Sequence, residues 1–63
     1  MENRIKERRE ALGLTQHDLA EKSETARTII SQLETGSREV ITTKTMLKIA
    51  KALECDIKDI FFS

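Results

Sequence analysis

The chain has 63 residues, which is enough for one domain and too few for a second. Eleven basic residues balance eleven acidic ones, while a single cysteine and a single histidine exclude an internal disulfide and supply too few ligands for a structural zinc site. No apolar run approaches the roughly 20 residues of a membrane span, so we expect one cytoplasmic domain over residues 1–63 that has no membrane partner, metal or cofactor.

The first two helices are predicted from their end signals. The chain contains no proline and two glycines, a composition that favours helices throughout. A first helix is predicted over residues 2–12, with Gly13 directly after it, where a left-handed cap favours glycine. Thr15 then opens a second helix that extends to about Lys22. Asp18 lies three residues after Thr15, which is the spacing of a capping box.

A third helix is predicted over residues 26–35, with Gly36 as its cap. At about 100° per residue, Ala26, Ile30 and Leu33 lie within about 60° of one another and form an apolar stripe. The opposite side is rich in hydrogen-bonding groups and poor in acids. That side is therefore available to a partner other than the protein core.

The last two helices complete the pattern. Thr42 or Thr43 can cap a fourth helix, and Asp56 can cap a short fifth helix with Asp59 as its capping-box partner. The apolar face of the fourth helix comprises Met46, Leu47, Ile49, Ala50 and Leu53. The core can be closed by Ile57, Ile60 and Phe61. The sequence therefore predicts an all-α, compact five-helix bundle.

The second and third helices fit a helix-turn-helix, because a turn of about three residues joins them and the second of the pair has a polar outer face. Residues 12–22, LGLTQHDLAEK, and 26–36, ARTIISQLETG, resemble helix 2 and the recognition helix of the Cro/phage-repressor (XRE-like) helix-turn-helix family. Residues 47–53 and 56–61 look like that family's fourth and fifth helices. The resemblance implies a lambda-repressor-like domain that binds double-stranded DNA. It further implies a transcriptional regulator, a repressor that recognises a palindromic operator as a homodimer.

The resemblance also implies which residues contact bases. Arg27, Thr28 and Gln32 match recognition-helix positions that face base edges in the major groove. Ser31 lies between them and is assigned to the same set. Arginine can bond guanine through two donors and glutamine can bond adenine through its amide, so the chemistry agrees.

Three further roles follow from the resemblance. Gln16, at the start of the second helix, matches a position that contacts a phosphate, and a helix N-terminus favours such an anion. Arg38, just past Gly36, matches a second phosphate-contacting position. Arg9 and Glu34 match a structural pair that joins the first helix to the end of the third.

The chain departs from the family at the turn before the third helix. Glu24 stands where the family usually has glycine, and a positive φ at this residue would cost on the order of 1 kcal/mol. Ala26 stands where a serine or threonine usually caps the recognition helix, so Thr25 can take that role. The loop over residues 37–42 is one residue longer than the commonest pattern and lacks its proline.

Other interpretations remain open from the sequence. The bundle could be a protein-interaction module, such as an antitoxin or antirepressor-like adaptor, or a DNA-binding fragment of a longer regulator. Gln16 could be an ordinary solvated helix residue, Arg27 could pair with Glu24, and Ser31 could be plain helix surface. Phe61 and Phe62 suggest apolar surface at the C-terminus for a second subunit. No residue pattern indicates a catalytic site, so we expect no enzymatic activity.

Overall fold

The computed structural model describes residues 2–61, which form five α-helices and no strand. The helices are α1 (Ile5–Ala11), α2 (Gln16–Ser23), α3 (Arg27–Thr35), α4 (Thr43–Ala52) and α5 (Ile57–Phe61). The predicted all-α five-helix bundle is confirmed. No helix in the described range is both long and apolar enough to cross a membrane.

The first helix begins at Ile5 rather than at residue 2, because tertiary hydrogen bonds hold the preceding segment outside the helix. The Asn3 side-chain amide donates to the carbonyl of Leu33 at 2.8 Å, and the backbone N–H of Arg4 donates to the carbonyl of Ile60 at 2.8 Å. These bonds tie the start of the chain to α3 and α5. The sequence gives no local signal for them.

Local capping sets both ends of α2. The Thr15 hydroxyl accepts from the backbone N–H of Asp18 at 3.0 Å, and the Asp18 carboxylate accepts from the N–H of Thr15 at 2.9 Å. The predicted capping box is therefore confirmed, and the hydrogen bond from the Thr15 backbone lowers the pKa of Asp18. At the other end Glu24 adopts a φ of +52°, which is the strained conformation whose cost was considered for this residue. Glu54, which follows α4, has a φ of +59° that the sequence does not signal.

The third helix begins at Arg27, and this corrects two expectations. Ala26 is extended, with a ψ of 137°, and exposed, so it does not belong to the core stripe. The Thr25 hydroxyl donates to the carbonyl of Ser23 at 3.1 Å and does not cap α3. Ile30 and Leu33 are buried as predicted, and together they set the face that α3 turns to the core.

The fourth helix is capped by Thr42, whose hydroxyl accepts from the N–H of Thr45 at 3.2 Å. Leu47 was expected in the core but is 55% exposed. It lies about 120° around α4 from the position of Leu53, near the centre of the buried face, which explains its exposure.

The core lies where all five helices meet. Seven large aliphatic side chains are essentially fully buried, and every helix supplies at least one of them: Ile5, Leu19, Ile30, Leu33, Ile49, Leu53 and Ile60. Burial of each stabilises the fold by about 1.5–3 kcal/mol. Phe61 is also buried in this core, so the expectation that it offers surface to a second subunit is wrong. Phe62 lies outside the described residues.

Candidate nucleic-acid interface

A shallow groove of about 320 Å³ runs between the start of α2 and the outer side of α3. Its lining consists of Gln16, Arg27, Thr28, Ser31 and Gln32. The structure thus brings together the four residues expected to contact bases and one of the two expected to contact phosphates. They come from two helices because α2 and α3 pack directly against each other across the turn.

The outer side of α3 suits an anionic partner. Arg27 and Thr28 are exposed at its first turn, which contains no acidic residue. No side chain caps the N-terminus of α3, so the backbone N–H groups there add to the positive end of the helix dipole. Arg27 forms no ion pair within the described residues, so the interpretation that it pairs with Glu24 is not supported.

The one acid of α3, Glu34, is neutralised by Arg9. Arg9 Nε lies 2.7 Å from Glu34 Oε2 and Arg9 Nη2 lies 3.0 Å from Glu34 Oε1, which makes the pair bidentate. The Arg9 and Glu34 side chains are 11% and 4% exposed, and Arg9 Nη1 also donates to the carbonyl of Leu14 at 2.8 Å. The pair joins α1 to the last turn of α3, as the resemblance implies.

Titration of the pair follows from its surroundings. Burial favours the neutral form of Glu34, but hydrogen bonds from Arg9 and Gln16 outweigh it, and the pKa of Glu34 is lowered. The hydrogen bonds to Glu34 raise the pKa of Arg9 above its ordinary value, although burial opposes them. Both groups are therefore charged at neutral pH, and α3 presents no uncompensated negative charge to a partner in the groove.

Gln16 is the link between this pair and the groove. Its Nε2 donates to Glu34 Oε1 at 3.2 Å, and the residue is half-buried. The interpretation of Gln16 as an ordinary solvated helix residue does not fit these contacts. Its amide is instead held in one orientation at the N-terminus of α2.

The Arg38 side chain folds back onto Gln32 instead of extending into solvent. Its Nε donates to Gln32 Oε1 at 3.1 Å, and its Nη1 donates to the carbonyl of Val40 at 3.2 Å. Arg38 is half-buried in this position. The sequence predicts separate contacts for Arg38 and Gln32, because their spacing of six residues across a loop offers no signal that they bond.

Comparison with known families agrees with this geometry. A family model described as helix-turn-helix matches residues 5–60 of the chain. No curated protein matches the chain at a significant level. The match covers α1 to α4 completely and α5 up to Ile60, and it includes the groove. The chain therefore belongs to the Cro/phage-repressor (XRE-like) helix-turn-helix family and is a DNA-binding regulator.

Proposed function

We propose that the protein is a cytoplasmic, single-domain repressor that binds a palindromic operator as a homodimer with α3 in the major groove. The observation that carries this proposal is the groove, where five polar side chains converge on the outer side of α3. A repressor of this kind occludes promoter DNA and needs no chemistry beyond binding.

The proposed roles divide the site residues into two groups. Arg27, Thr28, Ser31 and Gln32 contact base edges, where arginine recognises guanine and hydroxyl and amide groups recognise several bases. Gln16 and Arg38 contact phosphates, which fix the register of the protein on the duplex. The exposure of Arg27 and Thr28 at the first turn of α3 supports the first role.

The dimensions of the molecule support two copies on one operator. The Cα atoms extend over 24 × 21 × 19 Å, and side chains add about 3 Å on each side. The protein is therefore about 25–30 Å across, depending on the axis, while half-sites one helical turn apart are separated by about 34 Å. Two copies on adjacent half-sites would lie almost in contact. A second copy also doubles the phosphate contacts of a chain that has no net charge.

The test begins with selection of bound sequences from random duplex DNA, followed by titration of variants against the selected operator and a scrambled duplex at two salt concentrations. Arg27→Ala and Gln32→Ala should each cost about 1–3 kcal/mol on the operator and relax preference at particular base pairs. Gln16→Ala should weaken binding to both duplexes and change the salt dependence of the affinity little, because Gln16 is uncharged. Lys58→Ala is the control, since Lys58 is an exposed cation of α5 that does not line the groove.

One result would overturn the proposal. If Arg27→Ala and Gln32→Ala bind both duplexes as the parent does, α3 does not recognise the operator. The bundle would then be better described as a protein-interaction module.

A further inference from the structure

Each of the two glutamines in the groove is held by a charged residue of a different hydrogen-bonding type. The Glu34 carboxylate can only accept hydrogen bonds, and its Oε1 accepts one from Gln16 Nε2 at 3.2 Å. The Arg38 guanidinium can only donate hydrogen bonds, and its Nε donates one to Gln32 Oε1 at 3.1 Å. The chemistry of the partner therefore determines which end of each amide turns toward it.

For Gln32 this orientation affects recognition. With Oε1 directed to Arg38, the amide NH₂ is the end that remains for a partner in the groove. Arg38 is in turn restrained by its second bond to the carbonyl of Val40 and by its partial burial. The loop after α3 thus supplies one donor to the Gln32 side chain, and that donor is itself anchored at Val40.

We propose that Arg38 is a specificity-determining positioning residue that acts through Gln32 and makes it present hydrogen-bond donors to the bases. This inference rests on the proposed function, in which Gln32 faces base edges. An unrestrained glutamine favours adenine, because its carbonyl accepts from N6 while its NH₂ donates to N7. With its carbonyl engaged by Arg38, Gln32 favours guanine, whose N7 and O6 are both acceptors in the major groove.

The positioning role can be separated from a phosphate contact by the same residue. Loss of a phosphate contact weakens binding to all duplexes alike and lowers the dependence of affinity on salt. Loss of positioning changes the preference at one base pair only. Both effects are expected for Arg38, and the second is the one that the sequence did not predict.

The experiment uses the full chain and two duplexes that differ at the base pair where Gln32→Ala relaxes preference. The parent should bind the guanine duplex about tenfold more tightly than the adenine duplex. Arg38→Ala should reduce this ratio at least fivefold or reverse it. Lys44→Ala is the matched control, because it removes an exposed cation from the start of α4 without touching Gln32, and it should leave the ratio unchanged.

A second variant and a second readout guard against misfolding. Arg38→Met keeps the aliphatic stem of the arginine without its donors, and it should reduce the guanine-to-adenine ratio in the same way as Arg38→Ala. In the free protein, NMR relaxation of the Gln32 side-chain amide should show greater mobility in either variant. The Gln16 amide serves as the internal reference, since its bond to Glu34 remains.

The outcomes separate the two proposals. An Arg38 variant that keeps the parent's ratio, or a parent that prefers adenine at this base pair, would overturn the positioning role and leave DNA recognition intact. A Gln32→Ala variant that relaxes no base pair would also overturn the positioning role, because Gln32 would then contact no base. A parent that shows no sequence preference would overturn the proposed function itself.

Discussion

At the scale of single residues, Arg9 and Glu34 form the most deeply buried ion pair in the described part of the chain. Glu34 lies in the last turn of α3, where the helix dipole disfavours a carboxylate. The bidentate bond from Arg9 offsets this cost and joins α1 to α3. The pair also supports the groove, because Glu34 holds Gln16.

We expect Glu34→Gln and Arg9→Met each to cost about 3 kcal/mol of unfolding free energy, because each leaves the partner's charge buried and unpaired. The double variant Arg9→Met/Glu34→Gln should lose clearly less than the sum of the two single losses, since it strands no charge. Chemical denaturation of the four proteins at neutral pH measures this coupling. A double loss equal to the sum would show that the pair does not interact.

Measuring the same four proteins at acidic pH provides the control, because protonation of Glu34 removes the charge on which the coupling depends. Because the pKa of Glu34 in the folded state is lowered from an ordinary value of 4.5, its stabilisation is present above about pH 4.5 and is lost as the pH falls through the lower folded value. The parent should therefore lose stability on acidification more steeply than Glu34→Gln does. The coupling energy should persist at neutral pH and fade once Glu34 is protonated.

Between elements, the turn that connects α2 to α3 contains a strained residue. Glu24 ends α2 with a φ of +52°, in the left-handed region that favours glycine. The family resemblance of the sequence implies glycine at this position. The orientation of α3 relative to α2 depends on this backbone conformation, so the chain retains it at a cost.

We expect Glu24→Gly to stabilise the fold by up to about 1 kcal/mol, because relief of the left-handed strain exceeds the added entropy of glycine in the unfolded chain. Glu24→Ala is the matched control: it removes the same side chain but keeps the strain, so its stability should stay close to the parent's. Thermal unfolding monitored by circular dichroism measures both. Equal gains for the two variants would attribute the effect to the glutamate side chain and not to the backbone.

At the scale of the whole molecule, a small core must support both the fold and DNA binding. A chain of this length leaves a large share of its surface exposed, so its stability is modest. Phe61 contributes to the core and not to an interface. Among the described residues, the large apolar side chains that remain exposed are Val40 and Leu47, at 78% and 55%.

We expect two copies to bind a palindromic operator cooperatively. The affinity for the full operator should exceed the affinity expected if each copy bound its half-site independently. Sedimentation of the protein with duplex DNA should give two chains per operator and one per half-site. An insertion of roughly five base pairs between the half-sites places them on opposite faces of the duplex and should abolish the gain. A monomer at high micromolar concentration, both free and on the operator, would contradict the proposed dimer.

The sequence by itself determined the features that depend on short-range contacts. Capping of α2 by Thr15, capping of α4 by Thr42 or its neighbour Thr43, and the glycine ends of two helices all follow from neighbours within a few positions along the chain. The buried stripe of α3 follows from helical periodicity for Ile30 and Leu33. These features were predictable because local spacing alone fixes which groups can meet.

Only the tertiary structure decided how the elements meet. The bonds of Asn3 to α3, of Gln16 to Glu34 and of Arg38 to Gln32 link positions whose distance depends on helix packing and loop path. The exposure of Leu47 and the burial of Phe61 depend on which arc of each helix its neighbours cover. Periodicity gives the direction of a side chain around its own helix, but it does not give the position of the next helix. The groove residues could therefore be named from the sequence, while the contacts that orient them could not.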